Sequence, residues 1–200
     1  MNASDLGFSD FVNLIIEALN KAGVEYMIGG ALAVWVWGEP RMTLDVDLVV
    51  SIPIEAVPEL SRELKLREML VPEDIILDRI LDEQGDVPIN AIHPYIGLKA
   101  ELFILREGDE LRQSAFARRR VAGLGGQIGE VYVHSPEDLI IYKLWYFSLS
   151  QQSKHIRDIV SILRSRPEEL DYEYLGEWLS RMNLDSLWDE MQAHARTSDI

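Results

Sequence analysis

The chain has no cysteine, which excludes disulfides, thiolate metal sites and cysteine nucleophiles. It also lacks a long apolar run. The longest, around Tyr26 to Trp37, is interrupted by glycines and too short to cross a bilayer. Positive charge is scarce: 19 lysines and arginines face 34 acids, a formal net charge of −15. Affinity for a polyanion comes largely from cations that neutralise phosphates, so this balance argues against a general nucleic-acid binder. The dense basic cluster is Arg118-Arg119-Arg120, with Arg106 and Arg112 nearby. The N-terminus MNASDLGFSD carries acids where a secretory leader needs basic residues, and the expectation is a soluble, cytoplasmic protein with no membrane partner. No repeat, linker or low-complexity segment appears. The glycines from Gly123 to Gly129 match neither a P-loop nor a dinucleotide fingerprint and read as turns. His93, His134, His155 and His194 lack metal-ligand spacing and read as structural or exposed, and no Ser-His-Asp arrangement is legible.

What is present converges on one stretch, Tyr26 to Val50, YMIGGALAVWVWGEPRMTLDVDLVV. Leu44 to Val50 alternates apolar and acidic residues, so on a strand Asp45 and Asp47 share one face while Leu44, Val46 and Leu48 take the other. Like charges that close raise one another's pKa unless a cation compensates them, and oxygen ligands at this spacing suit Mg²⁺. The alternative is an ordinary solvated strand face. Upstream, Val24 to Ile28 reads as a strand running into Gly29-Gly30, after which Ala31 to Trp37 has helical character. Strand, glycine pair and helix start form an anion site, because glycine lets the backbone approach a phosphate and the first-turn N–H groups point at it. Arg41 reads as a loop cation, a partner for Asp45 or Asp47, or a phosphate ligand.

The rest of the chain supplies a scaffold. With 200 residues and 48% apolar content it can bury one substantial core, or one core and a small helical subdomain. Ser9 can cap a helix whose apolar stripe runs from Phe11 to Ala22 and ends at Gly23. Pro53 to Leu66 and Pro72 to Glu83 read as helices, the second ended by Gly85-Asp86. Ile89 to His93 and Leu98 to Leu105 read as a hairpin of strands, the second placing Lys99, Glu101 and Phe103 on one face. Asp109 to Arg118 reads as a short helix and Arg120 to Val133 as a pair of short strands. Ser135-Pro136-Glu137-Asp138 marks a helix start, and the helix to Leu149 is apolar nearly all round. Lys143, buried within it, needs an anion: a carboxylate or a phosphate. Tyr172 to Met182 and Leu187 to Ala195 read as closing helices.

The order hydrophobic strand, Gly-Gly, then Asp-x-Asp on the next strand resembles the polymerase-β nucleotidyltransferase superfamily. The run GGALAVWVWGEPRMTLDVDLVV is similar to its small bacterial AbiEii-like branch, in which Arg-x-Thr-x-Asp-x-Asp is typical, and the likeness covers roughly residues 24–165. The resemblance implies an α/β (α+β) fold, a small mixed sheet flanked by helices. It implies a nucleotidyltransferase-like core over 1–134 and a C-terminal helical subdomain over 135–200 that closes the cleft. It implies Asp45, Asp47 and, as a third carboxylate one methylene longer than the usual aspartate, Glu101 as catalytic metal ligands for two Mg²⁺ ions. SPEDLIIYKLWYF and KHIRDIVSIL resemble the segments whose lysine and aspartate line the nucleotide cleft, so Lys143 and Asp158 join Gly29, Gly30 and Arg41 as candidate nucleotide contacts. The implied reaction moves an NMP from an NTP to a hydroxyl of a tRNA end, a protein or a small molecule, with a toxin–antitoxin setting as one context. The alternative is a non-catalytic binding or antitoxin module of the same fold.

Overall fold

The structure, a computed structural model, describes residues 6–82, 86–126 and 128–197. Its centre is a mixed sheet of β1 (Glu25–Ile28), β2 (Asp45–Ser51), β3 (Ile89–His93), β4 (Leu98–Ile104), β5 (Arg120–Gly123) and β6 (Glu130–Val133), in the order β3-β4-β2-β1-β6-β5. β2 runs antiparallel to β1 and parallel to β4, while β1 runs parallel to β6. One end of the sheet is therefore where β1 and β6 finish and where β2 and β4 begin. The two edge strands pair antiparallel with their neighbours, as the hairpin patterns anticipate.

Helices α1 (Phe8–Lys21), α2 (Gly30–Trp37), α3 (Val57–Leu66), α4 (Glu73–Leu81) and α5 (Glu110–Ala117) fill the connections, and α6 (Pro136–Ser150), α7 (Ser153–Ser165), α8 (Tyr172–Arg181) and α9 (Asp185–Thr197) follow the last strand. The mixed α/β fold is as expected. α6 begins where its sequence signals it: the Ser135 hydroxyl accepts from the Asp138 N–H, and Pro136 occupies the first turn. Its neighbours Leu139, Ile140, Ile141 and Leu144 are all buried. Two helix starts differ from expectation. α1 is capped at Gly7, whose N–H donates to Asp10 at 2.8 Å, so Ser9 lies inside the helix and Asp10 takes the capping role. The segment after Pro53 opens with a 3₁₀ turn at Ile54–Ala56 before α3 begins, with Pro58 accommodated in the first turn of α3. Glu83 and Gly85, expected to end α4, lie outside the described residues.

The Arg118–Arg120 cluster is drawn into the scaffold. Arg118 lies within 3.5 Å of Glu137 and 3.7 Å of Asp138, both wholly buried, and its guanidinium stacks 3.7 Å over the Tyr174 ring. Arg119 pairs with Glu25 at 2.7 Å and Arg120 with Glu137 at 3.5 Å. These arginines join the segment from the end of α5 into β5 to β1, to the start of α6 and to α8, rather than forming an unpaired basic surface.

Candidate active site

The site assembles at the end of the sheet where β1 stops. Gly29 follows the last residue of β1, its N–H donates to the Asp47 carbonyl at 2.8 Å, and α2 starts at Gly30. Gly30 has φ +56°, and a Cβ built there would fall 1.7 Å from Asp47 Oδ2. The glycine is required twice over: by the left-handed backbone and by the carboxylate packed against it. This contact sets the Asp47 side chain on the glycine turn.

Parallel pairing of β2 with β4 puts Lys99 beside Asp45 and Glu101 beside Asp47. Alternation then sends all of them to one face while Val46, Leu48, Ala100 and Leu102 enter the core. The Asp45 turn is fixed by Thr43, whose hydroxyl accepts from the Asp45 N–H at 3.3 Å. Lys99 Nζ stands 2.6 Å from Glu101 Oε1 and 3.4 Å from Asp45 Oδ1. Burial, with the charges of Glu101 and Asp45 adding to it, holds the Asp47 carboxyl above its ordinary pKa. Asp45, Asp47 and Glu101 offer the hard oxygen donors that Mg²⁺ prefers. Among the described residues no three His, Asp or Glu side chains converge as a ready metal-binding group, and an ammonium stands between two of the three acids. The donor chemistry fits a divalent ion; the gathering of the donors is incomplete.

Asp158 on α7 is 1% exposed and is shared by two cations. Arg41 donates to it through Nε at 2.8 Å and Nη2 at 3.2 Å, and Lys143 on α6 through Nζ at 2.7 Å. Arg41 thus pairs with Asp158, not with Asp45 or Asp47. Burial alone would raise the Asp158 pKa, but the hydrogen bonds and charges of Arg41 and Lys143 together outweigh it and hold the carboxyl below its usual value. Lys143 has one acid and shares it, so burial dominates and lowers its pKa. The two indoles of α2 brace this arrangement: Trp35 Nε1 donates to the Arg41 carbonyl at 3.0 Å and Trp37 Nε1 to the His134 carbonyl at 2.8 Å.

A cavity of about 830 Å³ collects Gly29, Gly30, Arg41, Asp45, Asp47, Glu101 and Lys143 along its walls. Every candidate contact except Asp158 borders it, and Asp158 stands directly behind Arg41 and Lys143. Sequence reasoning missed part of the wall, beside Gly29 and Lys143. His134, Tyr142, Tyr146 and His155 line it as an aromatic series, with His134 stacked on Tyr142 at 5.2 Å and Tyr146 on His155 at 6.1 Å. Both His134 nitrogens are buried without a hydrogen-bond partner, and burial lowers its pKa to about 3. The His134 signal was its place between a short strand and the Ser135 cap, where a sheet crevice forms. The i, i+4 spacing of Tyr142 and Tyr146 put both rings on one side of α6. Asp86 also borders the cavity and pairs with Arg112 at 2.8 Å.

This is the architecture of a nucleotidyltransferase fold, and comparison with solved structures bears that out. The chain superposes on the solution structure of the antibiotic-resistance factor ANT(2'')-Ia with a TM-score of 0.60 at 18% identity, covering 93% of this chain and 96% of that one. A crystal structure of ANT(2")-Ia in complex with adenylyl-2"-tobramycin gives 0.57 at 20% identity over 90% and 98%. An antigenic nucleotidyltransferase-like protein from Paracoccidioides brasiliensis gives 0.52 at 18% identity over 95% and 92%. No family model matches the chain, and no curated protein matches it. At these identities the likeness establishes the fold.

Proposed function

We propose that this protein is a metal-dependent nucleotidyltransferase that moves an NMP from an NTP to a hydroxyl of a small-molecule acceptor. The observation that carries the reading is the placement of Asp45, Asp47 and Glu101 on one sheet face, with Asp47 packed directly against Gly30 at the start of α2. Acids alone would repel a triphosphate. Acids beside a backbone anion site suit a ligand that arrives with divalent cations.

In this reading Asp45, Asp47 and Glu101 hold Mg²⁺, in two ions, which when bound offsets the triphosphate charge and lowers the pKa of the acceptor hydroxyl. The first turn of α2, opened by Gly30, receives phosphate oxygens on backbone N–H groups, while Gly29, whose N–H is held by the Asp47 carbonyl, keeps the turn open to the ligand. Arg41 and Lys143, held at the rim by Asp158, supply positive charge toward the leaving pyrophosphate. The acceptor oxygen bonds the α-phosphorus as the bond to pyrophosphate breaks, and its proton passes to a carboxylate of the cluster. In this reading the helices α6 to α9, within the 135–200 subdomain the resemblance implies, cover the cleft.

The choice of acceptor follows from charge. The arginine cluster that could have tracked an RNA backbone is committed to Glu25, Glu137 and Asp138, and the chain carries −15 overall. That overall negative charge favours an acceptor bearing amino groups over a polyanion. The tobramycin adduct held by a protein of the same fold agrees with that chemistry. The Arg-x-Thr-x-Asp-x-Asp likeness keeps a toxin–antitoxin setting as the finer alternative, in which the acceptor is a tRNA end or a protein.

The test is incubation with each α-labelled NTP, Mg²⁺ and, in separate reactions, an aminoglycoside panel, total tRNA and a cell lysate. Label on a small amine-bearing molecule with stoichiometric pyrophosphate supports the proposal. Label on tRNA or protein would transfer the reading to the toxin-like alternative. Nucleotide binding with no transfer to any class would favour the non-catalytic module.

A further inference from the structure

The acidic face contains a cation of its own. β4 carries Lys99 two residues before Glu101, and the parallel register sets it beside Asp45. Its ammonium stands 2.6 Å from Glu101 Oε1 and 3.4 Å from Asp45 Oδ1. Among the described residues Asp47 has no such partner. Lys143, the nearest buried ammonium, is bonded to Asp158 at 2.7 Å, and the Asp47 carboxylate packs instead on Gly30.

We propose that Lys99 is a positioning residue of this site, an internal counter-ion that occupies the carboxylate cluster until a divalent ion displaces it. The inference rests on the proposed metal-dependent reading. A lone carboxylate triad carries three like charges on adjacent strands, and nothing holds Glu101 toward Asp45 when the site is unloaded. The lysine supplies that hold. It ties Glu101 and Asp45 to one point and leaves Asp47 free to make the first contact with an entering ion. Loading is then an exchange: Glu101 and Asp45 release the ammonium as they turn to the metal. The released ammonium remains on the same strand face.

Exchange sets the affinity. An ion that must displace Lys99 binds more weakly than it would to the bare acids, and the deficit equals the strength of the lysine's pairs. Lys99 and Glu101 are 32% and 25% exposed at their side chains, so those pairs are partly screened. They correspond to a roughly threefold to tenfold change in dissociation constant.

The experiment measures Mn²⁺ binding, by calorimetry and by electron paramagnetic resonance of the free ion, to the full chain without nucleotide, for wild type, Lys99→Met and Lys99→Arg. Thermal unfolding with and without Mn²⁺ is recorded for each. Lys99→Met is expected to bind Mn²⁺ about threefold to tenfold more tightly. Its melting temperature should fall in chelator and rise further than wild type's on adding Mn²⁺. Lys99→Arg retains a cation and should stay near wild type in both readouts. Equal Mn²⁺ affinity in wild type and Lys99→Met, or weaker binding in Lys99→Met, would overturn the counter-ion role while leaving the metal site itself standing. An absence of Mn²⁺ binding in all three would overturn this inference, while the functional reading beneath it is decided separately by the labelled-NTP incubations.

Discussion

Replacing Lys143 by methionine separates a structural role from a nucleotide-binding one, because the residue is 4% exposed and its hydrogen-bonding partner in the fold is Asp158. Breaking a buried pair by removing one partner ordinarily costs about 3–5 kcal/mol, because the remaining charge is stranded. Here the stranding is partial. Arg41 keeps both its hydrogen bonds to Asp158, and methionine fills the volume left by the lysine stem. About half the usual penalty remains, roughly 1–3 kcal/mol, or about 2–12 °C in melting temperature for a chain of this size. Asp158→Asn should cost more, because it leaves Lys143 buried with no anion and Arg41 with a weaker acceptor. In the double variant the two losses should fall short of their sum, since both remove the same bond. Denaturant and thermal unfolding of the three variants, alongside calorimetric nucleotide titration with Mg²⁺, provide the readouts. A Lys143→Met protein as stable as wild type would refute the pairing argument. Reduced nucleotide affinity at unchanged stability would assign the lysine to the phosphates instead.

Asp47→Asn should abolish metal-dependent nucleotide binding and transfer while the cooperative unfolding transition survives, because the residue lies on the open face of β2; loss of that transition would show a structural role. Gly30→Ala should disturb the site from the backbone, since the left-handed φ costs about 1 kcal/mol and the new methyl would displace the Asp47 carboxylate; an alanine variant with wild-type metal affinity would contradict the contact. His134 has its pKa lowered by burial to about 3, so the stability it contributes is complete above its unfolded pKa near 6.5 and is lost as pH falls toward about 3. His134→Phe, which keeps a ring against Tyr142, should therefore flatten the fall in stability between pH 6 and about 4, checked by urea unfolding across that window. Arg118→Glu should lower the melting temperature rather than alter any RNA affinity, because it would set a third carboxylate against buried Glu137 and Asp138; a folded variant with weakened RNA binding would restore the basic-surface reading.

Much of the fold was legible because the local signals agreed with one another. The strand-glycine-helix order, the alternation in Leu44 to Val50 and the Ser135 cap each stated an element and its facing, and the structure keeps them except at Leu44, which precedes β2 and is exposed rather than in the core. Glu101 was legible as an acid in an apolar strand, and the register with β2 supplies the reason for it. What stayed hidden depended on distance in sequence. Nothing near Arg41 shows that it reaches Asp158, 117 positions away. The aromatic wall, too, is divided among a strand end and two helices, and no window on the chain contains it. The arginine cluster misled for the same reason: three consecutive cations resemble a basic surface until the acids that absorb them, on β1 and α6, are folded against them.

Asp158 gives that absorption a consequence for selectivity. An anion approaching Arg41 or Lys143 finds cations that are already satisfied, so it gains only the difference between its own attraction and that of the resident carboxylate. A singly charged ion such as chloride gains almost nothing from the exchange, and inorganic phosphate gains little. A polyphosphate carries several charges and reaches the α2 start at the same time, so it can match the carboxylate at one cation and still hold the backbone donors. Occupied cations in this arrangement act as a threshold on ligand charge, and the cell's abundant small anions fall below it.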